Sequence, residues 1–303
     1  MSLTLQAHAK INIGLRITGR RDDGYHLIHT LFQEIDFGDE VTISTHSSGE
    51  TSVEVSGPAA EGVPSDDRNL CSQAARLLKA RLGIDQGVSI RIQKHIPMGA
   101  GLGGGSSDAA AVLKGLNELW QVGLTSDQLE EMAARLGADV PFFIRGGLQL
   151  GEGIGEVLTP LERVLPYAIL LVIPPFAVDT TWAYGQFASQ PSFPTPPAFD
   201  QLITRDPIPW EAFTNDFEEV VFPRYGRLAE IKAALLDQGA VYAGLSGSGS
   251  AVYGFFEQQP DTDSFAERFP DCQVLAVKSV LHGCQVHPED KQKGIILQPT
   301  ATP

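Results

Sequence analysis

The chain has 303 residues, of which 43% are hydrophobic and 19% charged, and its formal net charge is −15. This composition predicts a folded globular protein that is long enough for two domains. The acidic balance argues against general affinity for nucleic acids or anionic membranes, which repel a negative surface. The sequence has neither the uninterrupted run of about 18 apolar residues that a membrane-spanning helix needs nor the pattern of a signal peptide. The three cysteines form no CxxC pair, and we expect a cytoplasmic protein.

The first half of the sequence mixes strands and helices. Apolar and polar residues alternate from Leu3 to Ile17, which predicts one long strand or two strands with a bend at Gly14. Lys10 and Asn12 lie on the polar face of this pattern. The elements that follow are a turn at 19–26, strands at 30–45 and 50–57, a helix at 69–83, a strand at 87–97 that enters a glycine-rich loop, and helices at 109–120 and 126–137, with Ser126 as the expected N-cap.

The pattern changes near residues 150–165, which predicts a domain boundary near residue 160. The elements predicted beyond it are a buried strand at 167–175, a proline-rich loop at 190–210 with at most one helical turn, a helix at 224–240, a strand–turn–strand unit at 241–256, a short helix at 263–270 and a strand at 272–283. We therefore predict an α+β protein with domains at 1–160 and 161–287 and a polar tail at 288–303.

Three interpretations compete for the glycine-rich stretch "PMGAGLGGGSSDAAAVL", residues 97–113. A Walker A loop would need a lysine where Gly105 stands. A dinucleotide-binding loop would need an acidic residue at the end of a second strand, but Glu118 has that spacing in the middle of a helix. A glycine loop that leads into a helix N-terminus offers backbone N–H groups and a positive dipole end, which favours a phosphate site. A tight turn with an ordinary serine cap is the structural alternative.

Asp139 lies in "GADVPFF", between a helix end and an apolar run. It is either a helix N-cap or a partly buried carboxylate, which a nearby lysine would hold in the ionised form. Lys10 and Asn12 point to the same side of one strand. The alternative interpretation is that this side of the strand simply faces solvent. A carboxylate base, a lysine and a phosphate loop together indicate phosphoryl transfer to a hydroxyl group.

Two further stretches carry candidate site residues. Tyr25 and His26 follow a glycine turn. At this position they suit stacking on a base and hydrogen bonding to it better than they suit metal binding. The alternative interpretation is that they only pack within a hairpin. "GLSGSGSAV", residues 244–252, is a second glycine loop, which either closes over a substrate or is a plain hairpin turn.

The motifs "AKINIGLRITGRRDDGYHLIHTLFQEID", "PMGAGLGGGSSDAAAVL", "LGADVPFF", "GEGIGEVLTP" and "GLSGSGSAVYGFF" occur in this order in the chain. In this respect the chain resembles the GHMP kinases, over residues 7 to about 256. The resemblance implies a two-domain fold, with an N-terminal domain like the second domain of ribosomal protein S5 and a ferredoxin-like C-terminal domain. It also implies an ATP- and Mg²⁺-dependent kinase. The implied acceptor is the 2-hydroxyl of 4-diphosphocytidyl-2-C-methyl-D-erythritol, in non-mevalonate isoprenoid precursor biosynthesis.

The resemblance also implies roles for individual residues, with Asp139 as the general base and Lys10 as the lysine that neutralises developing charge. The implied substrate-binding residues are Asn12, Tyr25, His26, Phe32, Thr180 and Tyr184, with Tyr25 and Tyr184 on either side of the cytosine. The implied ATP-binding residues are Asn69, Lys94, Pro97, Met98, Gly99, Ala100, Gly101, Leu102, Gly103, Gly104, Gly105, Ser106 and Ser107. No side-chain ligand for Mg²⁺ is identified.

Two other functions remain open from the sequence. A GHMP kinase for another small alcohol, such as homoserine or mevalonate, would have no use for the residues that read the base. A non-catalytic nucleotide-binding module would need neither Lys10 nor Asp139.

Overall fold

The computed structural model describes residues 2–188, 192–281 and 285–286. The predicted tail at 288–303 lies outside these residues. The strands in the described part of the chain are β1 (Ser2–Arg20), β2 (His26–His46), β3 (Thr51–Ser56), β4 (Gly87–Gln93), β5 (Leu148–Glu152), β6 (Val157–Pro160), β7 (Ala168–Ile173), β8 (Tyr242–Leu245), β9 (Val252–Phe256), β10 (Gln273–Val277) and β11 (Gln285–Val286).

The helices in the same residues are α1 (Leu70–Leu82), α2 (Gly104–Leu119), α3 (Ser126–Ala133), α4 (Phe142–Arg145), α5 (Thr180–Gly185), α6 (Phe199–Leu202), α7 (Glu218–Arg224), α8 (Gly226–Asp237) and α9 (Thr262–Arg268), with a 3₁₀ turn at Trp210–Ala212. The sequence predicts the positions of most of these, but it misses the β5–β6 hairpin, the short strand β11 and the helices α4, α5 and α7. The N-cap of α3 is Thr125 rather than Ser126, because the Thr125 side chain and Gln128 form a reciprocal capping box.

The first sheet has the strand order β11-β1-β2-β4-β3, with β5 and β6 branching from β2. The long strand β2 pairs with β1 along one edge, and on its other edge its first half pairs with β5 and its second half with β4. Helix α2 packs across β1 and β2 and contacts α1 and α3. This packing fixes the start of α2, and with it the glycine loop, against the middle of the β1–β2 hairpin.

The second sheet has the strand order β10-β7-β9-β8, and all of its pairs are antiparallel. With the helices between β7 and β8 and with α9 before β10, this is the β-α-β-β-α-β arrangement of a ferredoxin-like unit. Strand β7 is apolar on both faces. Leu170 and Val172 lie in the same core as α8, whereas Ile169 and Leu171 face a second core that includes Ile11 of β1. The α+β class predicted from the sequence is confirmed.

Strand β1 does not keep its apolar residues in one core. Leu3 and Leu5 pack with helix α2, whereas Ile11 and Ile13 pack against the second sheet. The pairing of β1 with β2 shifts register between His8 and Ala9 and again around Gly14. Such bulges redirect side chains along a strand, and here the segment between them carries Lys10 and Asn12. None of the described helices is long and apolar enough to span a membrane.

Candidate active site

The glycine loop runs from residue 97 to 103 and needs glycine at particular positions. Gly99, Gly101 and Gly103 have φ angles of 72°, 76° and 72°, a region that other residues enter at a cost. A methyl group on Gly101 would overlap the Ser246 carbonyl oxygen, and one on Gly103 would lie 2.8 Å from the Phe143 ring. The loop therefore follows a path that side chains would block, and it ends at Gly103, directly before the first residue of α2.

The loop and the residues around it form a cavity of about 300 Å³, which we call the loop cavity. Its walls include the predicted ATP-binding residues Asn69, Lys94, Pro97, Met98, Gly99, Ala100, Gly101, Leu102, Gly103, Gly104, Gly105 and Ser106. Ser107, the last of the predicted set, is buried in the first turn of α2 and is not part of the wall. The first N–H groups of a helix lack intrahelical acceptors, so the start of α2 suits an anion.

Two wall residues of the loop cavity have their side chains held by the protein. Asn69 caps α1: its Oδ1 accepts from Cys71 N at 2.8 Å and its Nδ2 donates to Pro64 O at 2.7 Å. Lys94 is 3% exposed, and its ammonium group bonds to Asp39 and Asp108. Both residues line the cavity as the sequence predicts, but their polar atoms are occupied by structural bonds.

A larger cavity of about 710 Å³ lies on the other side of Ser106, and we call it the aromatic cavity. Its wall includes the predicted substrate-binding residues Tyr25, His26, Thr180 and Tyr184, together with Asp139. Tyr25 is 61% exposed, so a face of its ring is open to the cavity. The His26 ring stacks on Tyr184 with 5.2 Å between centroids and 21° between planes. Ser106 belongs to the walls of both cavities.

Burial influences the protonation of two side chains in the aromatic cavity, His26 and Tyr184. Burial and the positive charge of Arg20 lower the pKa of His26 below its usual 6.5, which favours the neutral imidazole. The Nε2 atom of His26 is buried and has no hydrogen-bond partner among the described residues. Burial also raises the pKa of Tyr184, so that its hydroxyl stays protonated. A neutral imidazole with one nitrogen unsatisfied can accept a hydrogen bond from a ligand.

Lys10 and Asp139 meet in a smaller cavity of about 130 Å³ that shares wall residues with the other two, and we call it the junction cavity. Lys10 Nζ lies 2.7 Å from Asn12 Oδ1 and 3.8 Å from Asp139 Oδ2. It also lies 5.3 Å from the centroid of the Phe32 ring. Burial lowers the pKa of Lys10, and the carboxylate of Asp139 opposes that shift. The sequence-predicted Lys10, Asn12, Phe32 and Asp139 are thus brought together.

The alternative in which Asp139 caps a helix does not hold. Helix α4 begins at Phe142, its N-cap is Pro141, and no side chain caps it. Asp139 instead lies in the turn between α3 and α4, with its side chain 35% exposed. It therefore reaches the cavity and remains partly solvated.

The second glycine loop packs directly on the first. Ser246 Oγ donates to Gly101 O at 2.9 Å, and Ala251 N donates to Ala100 O at 3.0 Å. Gly247 and Ser248 line the junction cavity, and Ser248 Oγ lies 3.0 Å from Thr180 Oγ1. The loop is a hairpin turn that also forms part of the site.

Sequence reasoning misses two polar groups of the junction. Thr30 Oγ1 accepts from Asn12 Nδ2 at 3.1 Å and donates to Gly14 O at 2.5 Å, so it orients the amide that holds Lys10. Ser248 reaches the site through the second loop, which the sequence singles out only as a loop. Thr30 gives no signal beyond being a polar residue in a strand.

Comparison with known proteins identifies the family. The model of the GHMP kinase N-terminal domain matches residues 69–147, and that of the GHMP kinase C-terminal domain matches residues 198–273. The chain is 44% identical to a 4-diphosphocytidyl-2-C-methyl-D-erythritol kinase of Prosthecochloris aestuarii over 272 residues, which cover 88% of this chain and 93% of the relative. It is 43% identical to the kinase of the same name from Chlorobium phaeobacteroides over 88% of this chain and 95% of the relative.

Solved structures agree with this assignment. A crystal structure of 4-(cytidine 5'-diphospho)-2C-methyl-D-erythritol kinase superposes with a TM-score of 0.73 at 33% identity, covering 91% of this chain and 99% of its own. A homoserine kinase from Cytophaga hutchinsonii has a TM-score of 0.71 at 19% identity, covering 94% of this chain and 97% of its own, which shows the shared fold alone. This chain therefore belongs to the GHMP kinases and, within them, to the 4-diphosphocytidyl-2-C-methyl-D-erythritol kinase family.

Proposed function

We propose that this ATP-dependent kinase transfers the γ-phosphoryl group of MgATP to the 2-hydroxyl of 4-diphosphocytidyl-2-C-methyl-D-erythritol. The observation that carries the proposal is the pair Lys10 and Asp139 in the junction cavity, between a glycine-loop cavity and an aromatic cavity. A donor in one cavity and an acceptor in the other would meet at this pair. The reaction would supply a phosphorylated intermediate of non-mevalonate isoprenoid precursor synthesis.

The junction residues would divide the chemistry between them. Asp139 is the general base, which accepts the proton of the acceptor hydroxyl as the oxygen attacks phosphorus. Lys10 is held by Asn12 and neutralises the negative charge that develops on the transferring group. Phosphoryl transfer depends mainly on such positioning and charge stabilisation, and a buried cation contributes more to it than an exposed one.

The loop cavity would hold ATP. Its glycine loop and the start of α2 present backbone N–H groups to the phosphates, while Asn69 and Lys94 lie in the wall of the same cavity. Mg²⁺ usually keeps several waters and takes one or two carboxylates together with substrate phosphates. Among the described residues no three metal-ligating side chains cluster, so this donor set fits an ion carried mainly by the nucleotide's phosphates.

The aromatic cavity would hold the cytidyl acceptor. The exposed ring of Tyr25 would offer a stacking face, Tyr184 would line the same cavity with its ring against His26, and neutral His26 would accept a hydrogen bond from the edge of the base. Thr180 lines both the aromatic and the junction cavity, and it would contact the methylerythritol side of the acceptor. A cavity of about 710 Å³ with two tyrosines favours an acceptor larger than homoserine or mevalonate.

The test measures ADP formation from MgATP, with and without 4-diphosphocytidyl-2-C-methyl-D-erythritol. We expect acceptor-dependent ADP from the wild type and a loss of turnover of roughly a hundredfold or more in Asp139→Asn, with ATP binding retained. Glu131→Gln is the control, because it removes the same charge from the exposed surface of the neighbouring helix α3. Unchanged turnover in Asp139→Asn would reject the base, and no stimulation by the acceptor would reject the substrate.

A further inference from the structure

A buried cluster of three charged side chains lies beneath the glycine loop. Lys94 Nζ donates to the Asp39 carboxylate and to Asp108 Oδ2, the latter at 2.6 Å. The three residues are 3%, 0% and 2% exposed. The proposed catalytic pair of Lys10 and Asp139 does not use this cluster. Burying three charged groups costs free energy, so the cluster requires a structural or functional reason.

The cluster joins three elements of the fold. Asp39 belongs to β2, Lys94 follows the end of β4, and Asp108 lies in the second turn of α2. Asp39 Oδ1 also accepts from the backbone N–H groups of His95 at 2.6 Å and Ile96 at 2.9 Å. One carboxylate thus holds the segment that enters the glycine loop.

The ammonium group of Lys94 then holds the other end of the loop. Asp108 lies four residues after Gly104, the first residue of α2. A methyl group on Gly104 would lie 2.9 Å from Lys94 Nζ, so the ammonium packs directly against the start of the helix. Lys94 therefore links both ends of the loop at 97–103, the entering end through Asp39 and the helix end through Asp108.

The charges of the cluster are balanced only in part. Burial raises the pKa of Asp108 to about 7, and Lys94 opposes that shift. The two carboxylates outweigh burial at Lys94 and raise its pKa, which keeps the ammonium charged. The Cys71 thiol on α1 also senses these charges, and burial raises its pKa. A charged Lys94 is thus what holds the two carboxylates together.

We propose that Lys94 is a positioning residue, which with Asp39 and Asp108 fixes both ends of the glycine loop and so sets the backbone N–H groups that receive the triphosphate. It acts through the loop and not by contact with the adenine. The inference rests on the proposed place of ATP in the loop cavity, but not on the identity of the acceptor.

Nucleotide binding tests the inference without any acceptor. We would measure the dissociation constants of ATP and of adenosine for the full chain, for Lys94→Met and for Lys79→Met. Lys79 is the control because its ammonium group is likewise hydrogen-bonded within the protein, to Gly49 O at 2.7 Å, but it lies on α1 and away from the loop. We expect Lys94→Met to weaken ATP about tenfold or more and adenosine less than about twofold, and Lys79→Met to change neither.

Two results would overturn the proposal. Equal losses for ATP and adenosine in Lys94→Met would mean that Lys94 contacts the base, and an unchanged ATP affinity would mean that the cluster has no role in the cradle. If Lys94→Met does not fold, Asp108→Asn replaces it, because the amide keeps an oxygen that accepts from Lys94 but removes a charge. We expect that variant to weaken ATP roughly threefold and to spare adenosine, and an unchanged ratio of the two affinities would again reject the proposal.

Discussion

Lys10 Nζ is closer to the amide oxygen of Asn12, at 2.7 Å, than to the carboxylate of Asp139, at 3.8 Å. The amide therefore holds the ammonium, and the carboxylate is not tied up in a short ion pair. A base that must accept a proton from a substrate hydroxyl benefits from this arrangement, because a tightly paired carboxylate is a weaker base.

Thr30 is hydrogen-bonded to the Asn12 amide that holds Lys10, and replacing Thr30 tests whether this bond positions the ammonium group. Thr30→Val keeps the shape of the side chain but leaves Asn12 Nδ2 and Gly14 O without the hydroxyl between them. We expect kcat to fall about tenfold with little change in the KM for ATP, and the free energy of unfolding to fall by about 1–3 kcal/mol. Steady-state kinetics and denaturant unfolding measure both quantities.

Thr30→Ser is the matched control, since it keeps the hydroxyl and loses only a methyl group. We expect it to retain most of kcat. If Thr30→Val keeps full kcat, Asn12 does not need Thr30 to hold Lys10, and the positioning argument fails.

The sequence alone predicts the separate pieces of the site. Alternation along β1 places Lys10 and Asn12 together, and glycines at positions that lead into a helix indicate a loop suited to binding phosphate. These are local patterns, and local patterns are readable because they repeat with the period of a strand or mark a turn.

What the sequence does not predict depends on pairing across the fold. Thr30 meets Asn12 only because of the register of β1 on β2 and the bulge at Gly14. Lys94 looks like a free cation in the sequence, but contacts with Asp39 and Asp108, 55 and 14 residues away, bury it. Such contacts between distant residues leave no periodic trace in a single sequence.

The protonation state of His26 predicts a pH dependence of acceptor binding. Burial and Arg20 lower the pKa of His26, so the neutral form persists below the ordinary value of about 6.5. We expect the KM for the cytidyl acceptor to stay constant from about pH 8 to 6.5 and to rise only below that, when the protonated ring can no longer accept a hydrogen bond.

Arg20→Met provides the check, because losing a positive charge raises the pKa of His26. The rise in acceptor KM then moves to higher pH, while the KM for ATP follows the wild type. An acceptor KM with the same pH profile in both proteins would contradict the assignment of His26 to the base.

Replacing Tyr25 should weaken binding of the acceptor without lowering the stability of the protein. Its ring is 61% exposed, so Tyr25→Ala removes little from the core, and we expect the melting temperature to change by less than about 2 °C. The acceptor KM should rise about fivefold or somewhat more, which corresponds to about 1 kcal/mol for a lost stacking face.

Tyr25→Phe keeps the ring and serves as the control, with an acceptor KM close to that of the wild type. Kinetics at saturating ATP measure both variants. If Tyr25→Ala instead weakened ATP, the donor and acceptor cavities would have to be exchanged.

Gly101 and Gly105 lie in the same motif but differ in what surrounds them. Gly101 has a φ of 76°, and a methyl group there would overlap Ser246 O of the second glycine loop. Gly105 lies in α2, and a methyl group there would meet nothing within 4 Å.

We therefore expect Gly101→Ala to lower the free energy of unfolding by about 2 kcal/mol or more, because the costs of the strained backbone and of the overlap add. Gly105→Ala should leave it unchanged or raise it by up to about 1 kcal/mol, since alanine favours a helix. Denaturant unfolding of both proteins without nucleotide measures the difference. Equal stabilities would mean that the two loops do not pack against each other as closely as the hydrogen bond from Ser246 Oγ to Gly101 O requires.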